Sequence, residues 1–134
     1  MSTIKRLQNS KNKLKRMHEL NLDAPFNSLS LGNVSLNFFR ELVKKDFKLN
    51  VFPVGKSDFS AFDKIKQEEI DLYKEASENS LKNLKNEVPT LRVWHINGSE
   101  KKIGNRQFLY TFYEVDSPTE EEIAIVKSQE HVFF

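Results

Sequence analysis

The sequence contains no cysteine, and this absence excludes disulfides, thiolate metal sites and cysteine nucleophiles. It also favours an intracellular, cytoplasmic location. No apolar run approaches the roughly 20 residues that cross a bilayer, so no transmembrane segment is predicted. Glycine is scarce, with four residues in 134, and no G-x-G-x-x-G dinucleotide fingerprint is present.

The charge of the chain is unevenly distributed. The net charge is +2, but residues 1–20 carry six basic side chains against Glu19 alone, which gives +5 and leaves −3 for the rest. We therefore predict a basic N-terminal arm over residues 1–19 and one α/β domain over residues 20–134. The arm is read as a frayed helix or disordered tail, with contact to an anionic membrane surface or nucleic acid as the alternative.

Hydrophobic periodicity predicts strands and helices in the order β-α-β-α-β-β-α-β. Strands are predicted at residues 20–25, 47–54, 90–96, 106–115 and 131–134, and helices at 34–46, 60–86 and 118–129. Ser117 fits the N-cap of the last helix, with Pro118 at its first position and Glu120 completing a capping box. This alternation predicts a three-layer, Rossmann-like α/β sandwich with a mostly parallel sheet.

The loop at residues 23–35 is the first candidate site. Its glycine, Gly32, lies just before the predicted start of the first helix, with Ser30, Asn33 and Ser35 beside it. Backbone N–H groups at a helix N-terminus can bind a phosphate, so these residues could form a phosphate cradle. The alternative is a tight turn capped by Ser30 or Asn33.

His95 and Glu114 are the candidate catalytic residues, because each lies near the end of a predicted strand. His95 could act as a base or a hydrogen-bond donor, or could be a structural histidine. Glu114 follows a run of aromatic residues, so its carboxylate needs a partner or a ligand, whereas nearby Asp116 is interpreted as a helix cap. The carboxyl ends of parallel strands share one edge, so we expect these residues to converge there. The three histidines are scattered, and no metal site is predicted.

Several of these segments carry a family resemblance. The pattern Pro25-Phe-Asn-Ser-Leu-Ser-Leu-Gly-Asn-Val-Ser, and later Val51-Phe-Pro-Val, resembles the opening of glycosyltransferases with the GT-B fold. The segments Pro89-Thr-Leu-Arg-Val-Trp-His and Phe112-Tyr-Glu-Val-Asp are similar to strands of phage and bacterial members. The resemblance covers about residues 20–134 and implies the N-terminal, acceptor-side lobe of a two-lobed transferase.

The resemblance also implies roles for individual residues. Gly32, Asn33 and Ser30 would approach the diphosphate of a nucleotide-sugar donor, while His95 and Glu114 would face the acceptor or the transferred sugar. No metal or other cofactor is implied. A donor-binding C-terminal lobe or partner chain would be required, so we expect the isolated chain to be inactive.

Two other functions remain open. One is a non-catalytic α/β binding or interaction module that uses the basic arm, and the other is a small nucleotide- or phosphate-binding enzyme that uses the Gly32 turn. The many phenylalanines make self-association a further expectation.

Overall fold

The computed structural model describes residues 18–27, 29–60, 62, 64–112 and 117–134. The strands are β1 (Glu19–Ala24), β2 (Lys48–Pro53), β3 (Thr90–Val93), β4 (Gln107–Tyr110) and β5 (His131–Phe133), and the helices are α1 (Ser30–Lys44), α2 (Gln67–Glu78) and α3 (Glu120–Ser128). Their order along the chain is the predicted one. Residues 1–17 of the predicted arm and residues 113–116 lie outside the described residues.

The five strands form one sheet in the order β2-β1-β3-β4-β5, and every neighbouring pair is parallel. The predicted α/β class is therefore confirmed, with a sheet that is wholly rather than mostly parallel. From β1 the chain first moves outward to β2 and then returns to β3 on the other side of β1. This reversal makes the gap beyond the carboxyl ends of β1 and β3 a topological switch point, where open α/β sheets bind ligands.

One face of the sheet is apolar and is covered by α1 and α2. Leu22, Val51 and Val93 are fully buried on this face. Tyr73 of α2 joins the same core, with its ring centroid 4.7 Å from that of Phe26. Burial of this strip of aliphatic and aromatic surface is the main stabilising contribution to the fold.

The other face carries buried polar side chains that hydrogen-bond across the strands. Asn50 donates to Asn21 (3.2 Å), Asn21 donates to Thr90 (3.3 Å), and Thr90 donates to the backbone oxygen of Ile103 (2.8 Å). The connection from β3 to β4 covers this face, and Lys102 of that connection donates to the backbone oxygen of Ser128 at the end of α3. The end of α3 is thus tied to the connection that covers this face.

The helix boundaries differ from the predicted ones. α1 begins at Ser30 rather than at residue 34, and α2 is limited to 12 residues because turns follow it. The N-cap of α3 is Thr119 and not Ser117: its Oγ accepts a hydrogen bond from the Glu122 amide (3.1 Å), while the Glu122 carboxylate accepts one from the Thr119 amide (3.1 Å). The sequence offers two overlapping capping boxes, and the predicted one was wrong.

None of the helices within the described ranges is long and apolar enough to cross a membrane.

Candidate functional site

A cleft of about 820 Å³ opens at the carboxyl edge of the sheet, at the switch point between β1 and β3. Segments that follow β1, β3 and β4 form its walls, and the first turn of α3 closes one side. Its lining residues among those described are Pro25, Asn27, Leu29, Ser30, Leu31, Trp94, His95, Ile96, Asn97, Phe112 and Glu122. The cleft brings two of the predicted site residues, Ser30 and His95, to one cavity.

The first wall is the turn between β1 and the start of α1. Asn27 orders this turn, because its side-chain oxygen accepts a hydrogen bond from the Leu29 amide (3.0 Å). Leu29 occupies the N-cap position, and no side chain of the described residues caps the helix or places an acid in its first turn. The positive end of the α1 dipole therefore lies on the Ser30 side of the cleft, with no acidic side chain in the first turn of α1 itself.

Gly32 does not lie in the loop that was predicted for it. It is the third residue of α1 and is buried, and a Cβ atom there would lie 2.1 Å from the backbone oxygen of Asn27. The glycine thus allows the turn to pack against the helix. Asn33 is exposed one position further along α1, and neither residue lines the cleft. Their proposed contact with a diphosphate stays a prediction.

The second wall is the segment from Trp94 to Asn97, which follows β3. Within this segment Ile96 is buried, His95 is exposed to solvent and Trp94 is half-buried. The ring centroids of Trp94 and His95 are 5.0 Å apart and the two rings meet edge to face. An aromatic surface and an imidazole are therefore presented side by side.

Phe112 and Glu122 complete the cleft on the β4 side. Phe112 is 46% exposed, and its ring packs edge to face against Tyr110 of β4, with centroids 5.6 Å apart. Glu122 reaches the cleft from the first turn of α3. Glu114, the other predicted catalytic residue, lies outside the described residues, two positions beyond Phe112.

The cleft has a definite chemical character. Its polar groups are two amides, a hydroxyl, an imidazole and a carboxylate, and no lysine or arginine is present among the described residues that line it. Within the described part of the chain, no group of three or more His, Asp or Glu side chains could hold a metal ion. Hydrogen-bonding groups next to aromatic rings, without a basic side chain among them, suit a neutral ligand that has both polar edges and an apolar face.

A buried ion pair lies behind the two walls. Arg92 of β3 donates to the Asp23 carboxylate of β1 across 2.5 Å, and the two residues are register partners. Burial raises the pKa of Asp23, and the charge and hydrogen bond of Arg92 oppose that rise. Since Asp23 precedes the first wall and Arg92 precedes the second, the pair fixes the two strand ends relative to each other.

Sequence reasoning found part of this site. It selected Ser30 beside Gly32 before the first helix and His95 near a strand end. Asn27 lay inside the candidate loop at residues 23–35 but was not singled out, and Phe112 and Glu122 were missed as lining residues. Asn27 and Phe112 could have been found in the same way as His95, because each of the three follows the end of a strand within three residues. Glu122 could not have been found that way, because the path of the chain between β4 and α3 decides whether it faces the cleft.

The fold and the cleft together define a parallel α/β protein with an open cleft at the carboxyl ends of its strands. Comparisons with family models, with curated proteins and with solved structures found no match for this chain.

Proposed function

We propose that the cleft binds a sugar ring and that the chain acts as the acceptor-side lobe of a GT-B glycosyltransferase. The observation that carries the proposal is the lining of the cleft, which sets Trp94 and Phe112 beside Asn27, Asn97 and other polar groups without a basic side chain among the described residues. A sugar ring has C–H faces that pack on aromatic rings and hydroxyls that bond to amides and carboxylates. The resemblance of the sequence to GT-B glycosyltransferases also implies that this lobe binds the acceptor.

His95 is the general base in this proposal. Its imidazole would take the proton of an acceptor hydroxyl as that oxygen displaces the diphosphate from the anomeric carbon of the donor sugar. The uncapped start of α1 at Ser30 would stabilise the departing diphosphate with its amides and dipole. The remaining donor contacts would come from a donor-binding lobe or partner chain, and Glu114 keeps its proposed place beside the acceptor.

Titration with saccharides tests the proposal. Trp94 is the single tryptophan of the chain and lines the cleft, so its emission reports on occupancy directly. We expect a saturable change with at least one member of a panel of neutral mono- and oligosaccharides, and a weaker response to uridine and guanosine diphosphate sugars. His95→Ala should weaken saccharide binding by roughly tenfold, the effect of one lost hydrogen bond to a ligand.

His131→Ala is the matched control, because His131 is also exposed but lies on β5 and does not line the cleft. It should leave the affinity unchanged. The proposal is wrong if no saccharide or nucleotide sugar gives saturable binding, or if the two histidine variants weaken binding equally.

A non-catalytic interaction module is the second candidate function. β5 is one of the two edge strands of the described sheet, and it presents Phe133 (45% exposed) next to Phe134 (70% exposed). Exposed aromatic side chains on an open sheet edge are typical of association surfaces. Sedimentation velocity would then show a concentration-dependent oligomer that Phe133→Ser with Phe134→Ser abolishes and Leu81→Ser, at another exposed apolar position, does not.

A further inference from the structure

The connection from β3 to β4 contains a buried hydrogen-bond hub at Ser99. Ser99 is fully buried although its segment is a turn, and its side chain and backbone all have partners. The same connection supplies Trp94, His95 and Asn97 to the cleft. The hub is therefore placed where it can set the conformation of the second wall.

The hydroxyl of Ser99 joins the wall to the sheet. It donates to the backbone oxygen of His95 (2.6 Å) and accepts from Nε of Arg92 (3.2 Å). The Ser99 amide also donates to the backbone oxygen of Ile96 (3.0 Å). These three bonds close the turn back on the end of β3, directly beneath the residues that face the cleft.

The backbone oxygen of Ser99 joins the same turn to two other elements. It accepts hydrogen bonds from Gln107 at the start of β4 (2.9 Å) and from Gln129 after α3 (3.0 Å). Gln107 also donates to the side-chain oxygen of Gln129 (2.9 Å). The turn is thus held from three directions by buried groups, and Gln107 Oε1 is the one buried polar side-chain atom of the described residues that lacks a hydrogen-bond partner.

Gly98 permits this fold of the turn. Its φ of 95° lies in the left-handed region, and a Cβ atom there would come within 3.4 Å of the Trp94 ring nitrogen. The turn therefore passes close to the Trp94 ring. We therefore expect a change in the conformation of the turn to alter the positions of Trp94 and His95.

We propose that Ser99 is a positioning residue that, together with Arg92, holds Trp94 and His95 in the orientation that recognises the ligand. The bonds of its hydroxyl to Arg92 and to the His95 backbone carry this inference, and Asp23 keeps Arg92 in place from β1. The role in recognition rests on the proposed function. The role in ordering the wall is measurable without any ligand.

Ser99→Ala tests the proposal, with Ser80→Ala as its matched control. Ser80 is also buried and its hydroxyl also donates to a backbone oxygen, that of Ser77 (2.8 Å), but it lies after α2 and away from the cleft. In Ser99→Ala we expect Trp94 emission to shift to the red and acrylamide quenching to increase. Amide exchange from His95 to Ser99 should accelerate by roughly tenfold, and saccharide affinity should fall by a similar factor. Ser80→Ala should change none of these.

Arg92→Lys provides a second variant in case Ser99→Ala does not fold. Lysine keeps a positive charge near Asp23 but lacks the guanidinium fork that also reaches Ser99, so the same changes in Trp94 quenching and amide exchange are expected.

Unchanged quenching and exchange in both variants would overturn the positioning role. If the wild-type chain binds saccharides and Ser99→Ala binds them equally well, the role in recognition is overturned. If the wild-type chain binds none while quenching and exchange respond, the proposed function fails but the ordering of the wall by Ser99 stands.

Discussion

At the scale of single residues, Gly32 occupies a position where a side chain would collide with backbone atoms. Its sequence context predicted a residue in the loop before the first helix, either in a phosphate cradle or in a tight turn. In the structure it lies within α1, and its missing side chain allows close packing. The helix and the preceding turn approach so closely that the Asn27 backbone oxygen occupies the space of a Cβ atom. Since Asn27 forms part of the cleft wall, Gly32 shapes the site through its packing against Asn27.

Gly32→Ala should therefore destabilise the protein strongly. A methyl group 2.1 Å from backbone oxygen forces the turn away from α1, and overpacking of this kind costs about 3 kcal/mol. Gly55→Ala is the control, since a Cβ there meets open space and only its positive φ of 73° is penalised, by about 1 kcal/mol. Urea unfolding monitored by circular dichroism gives both values, and equal losses would contradict the packing role.

At the scale of the elements, the start of α3 shows how two similar sequence signals compete. Ser117 and Thr119 are both capping residues, and each is followed three positions later by a glutamate. The structure uses Thr119 with Glu122. The choice matters for the site, because it fixes Glu122 in the first turn of α3, from where it lines the cleft.

Thr119→Ala should remove this cap and destabilise the protein by about 1 kcal/mol. Ser117→Ala, at the position that was predicted as the cap from the sequence, should change the free energy of unfolding by less than about 0.5 kcal/mol. Chemical denaturation of both variants at neutral pH separates the two caps. A larger loss in Ser117→Ala would place the helix start two residues earlier.

At the scale of the whole molecule, the two faces of the sheet are stabilised differently. The face under α1 and α2 is apolar, whereas the opposite face contains hydrogen-bonded side chains and the ion pair between Asp23 and Arg92. Buried polar groups contribute little net stability when paired but are costly when a partner is lost. We expect substitutions of single members of this polar layer to be unusually destabilising.

Arg92→Met should cost about 3–5 kcal/mol at neutral pH, because it leaves the Asp23 carboxylate buried without its partner. Burial already raises the pKa of Asp23 in the folded state, and the variant lacks the charge and hydrogen bond of Arg92 that oppose that rise. Below the unfolded pKa of about 3.9 the carboxyl is neutral in both states, and stability is lost as pH rises through the folded pKa. The cost of the variant should therefore be smaller at pH 4 than at pH 7.

Arg106→Met is the control for this experiment, since Arg106 is half-exposed and lies 3.8 Å from the equally exposed Glu130. It should cost less than about 1 kcal/mol at either pH. Denaturation curves of both variants at the two pH values give the comparison. A cost of Arg92→Met that does not depend on pH would show that Asp23 keeps its charge in the folded protein without Arg92.

The sequence by itself determined the order of the elements, because hydrophobic periodicity is a local property that a strand or helix carries within its own residues. The alternation from Phe47 to Val54 predicts β2, and the i, i+4 spacing of Val34 and Phe38 predicts α1. It also determined that His95 would lie at a strand end. Helix starts were predicted less well, because caps depend on a few competing hydrogen bonds.

Only the tertiary structure decided the strand order, the cleft and the polar layer. Strand order depends on contacts between residues that are distant along the chain, and Asp23 and Arg92 meet across 69 positions. The sequence carries no local mark of such a pair, just as it carries none for Glu122 in the cleft wall or Ser99 beneath it. Local patterns set which elements form, while the packing of the whole chain sets which side chains face one another.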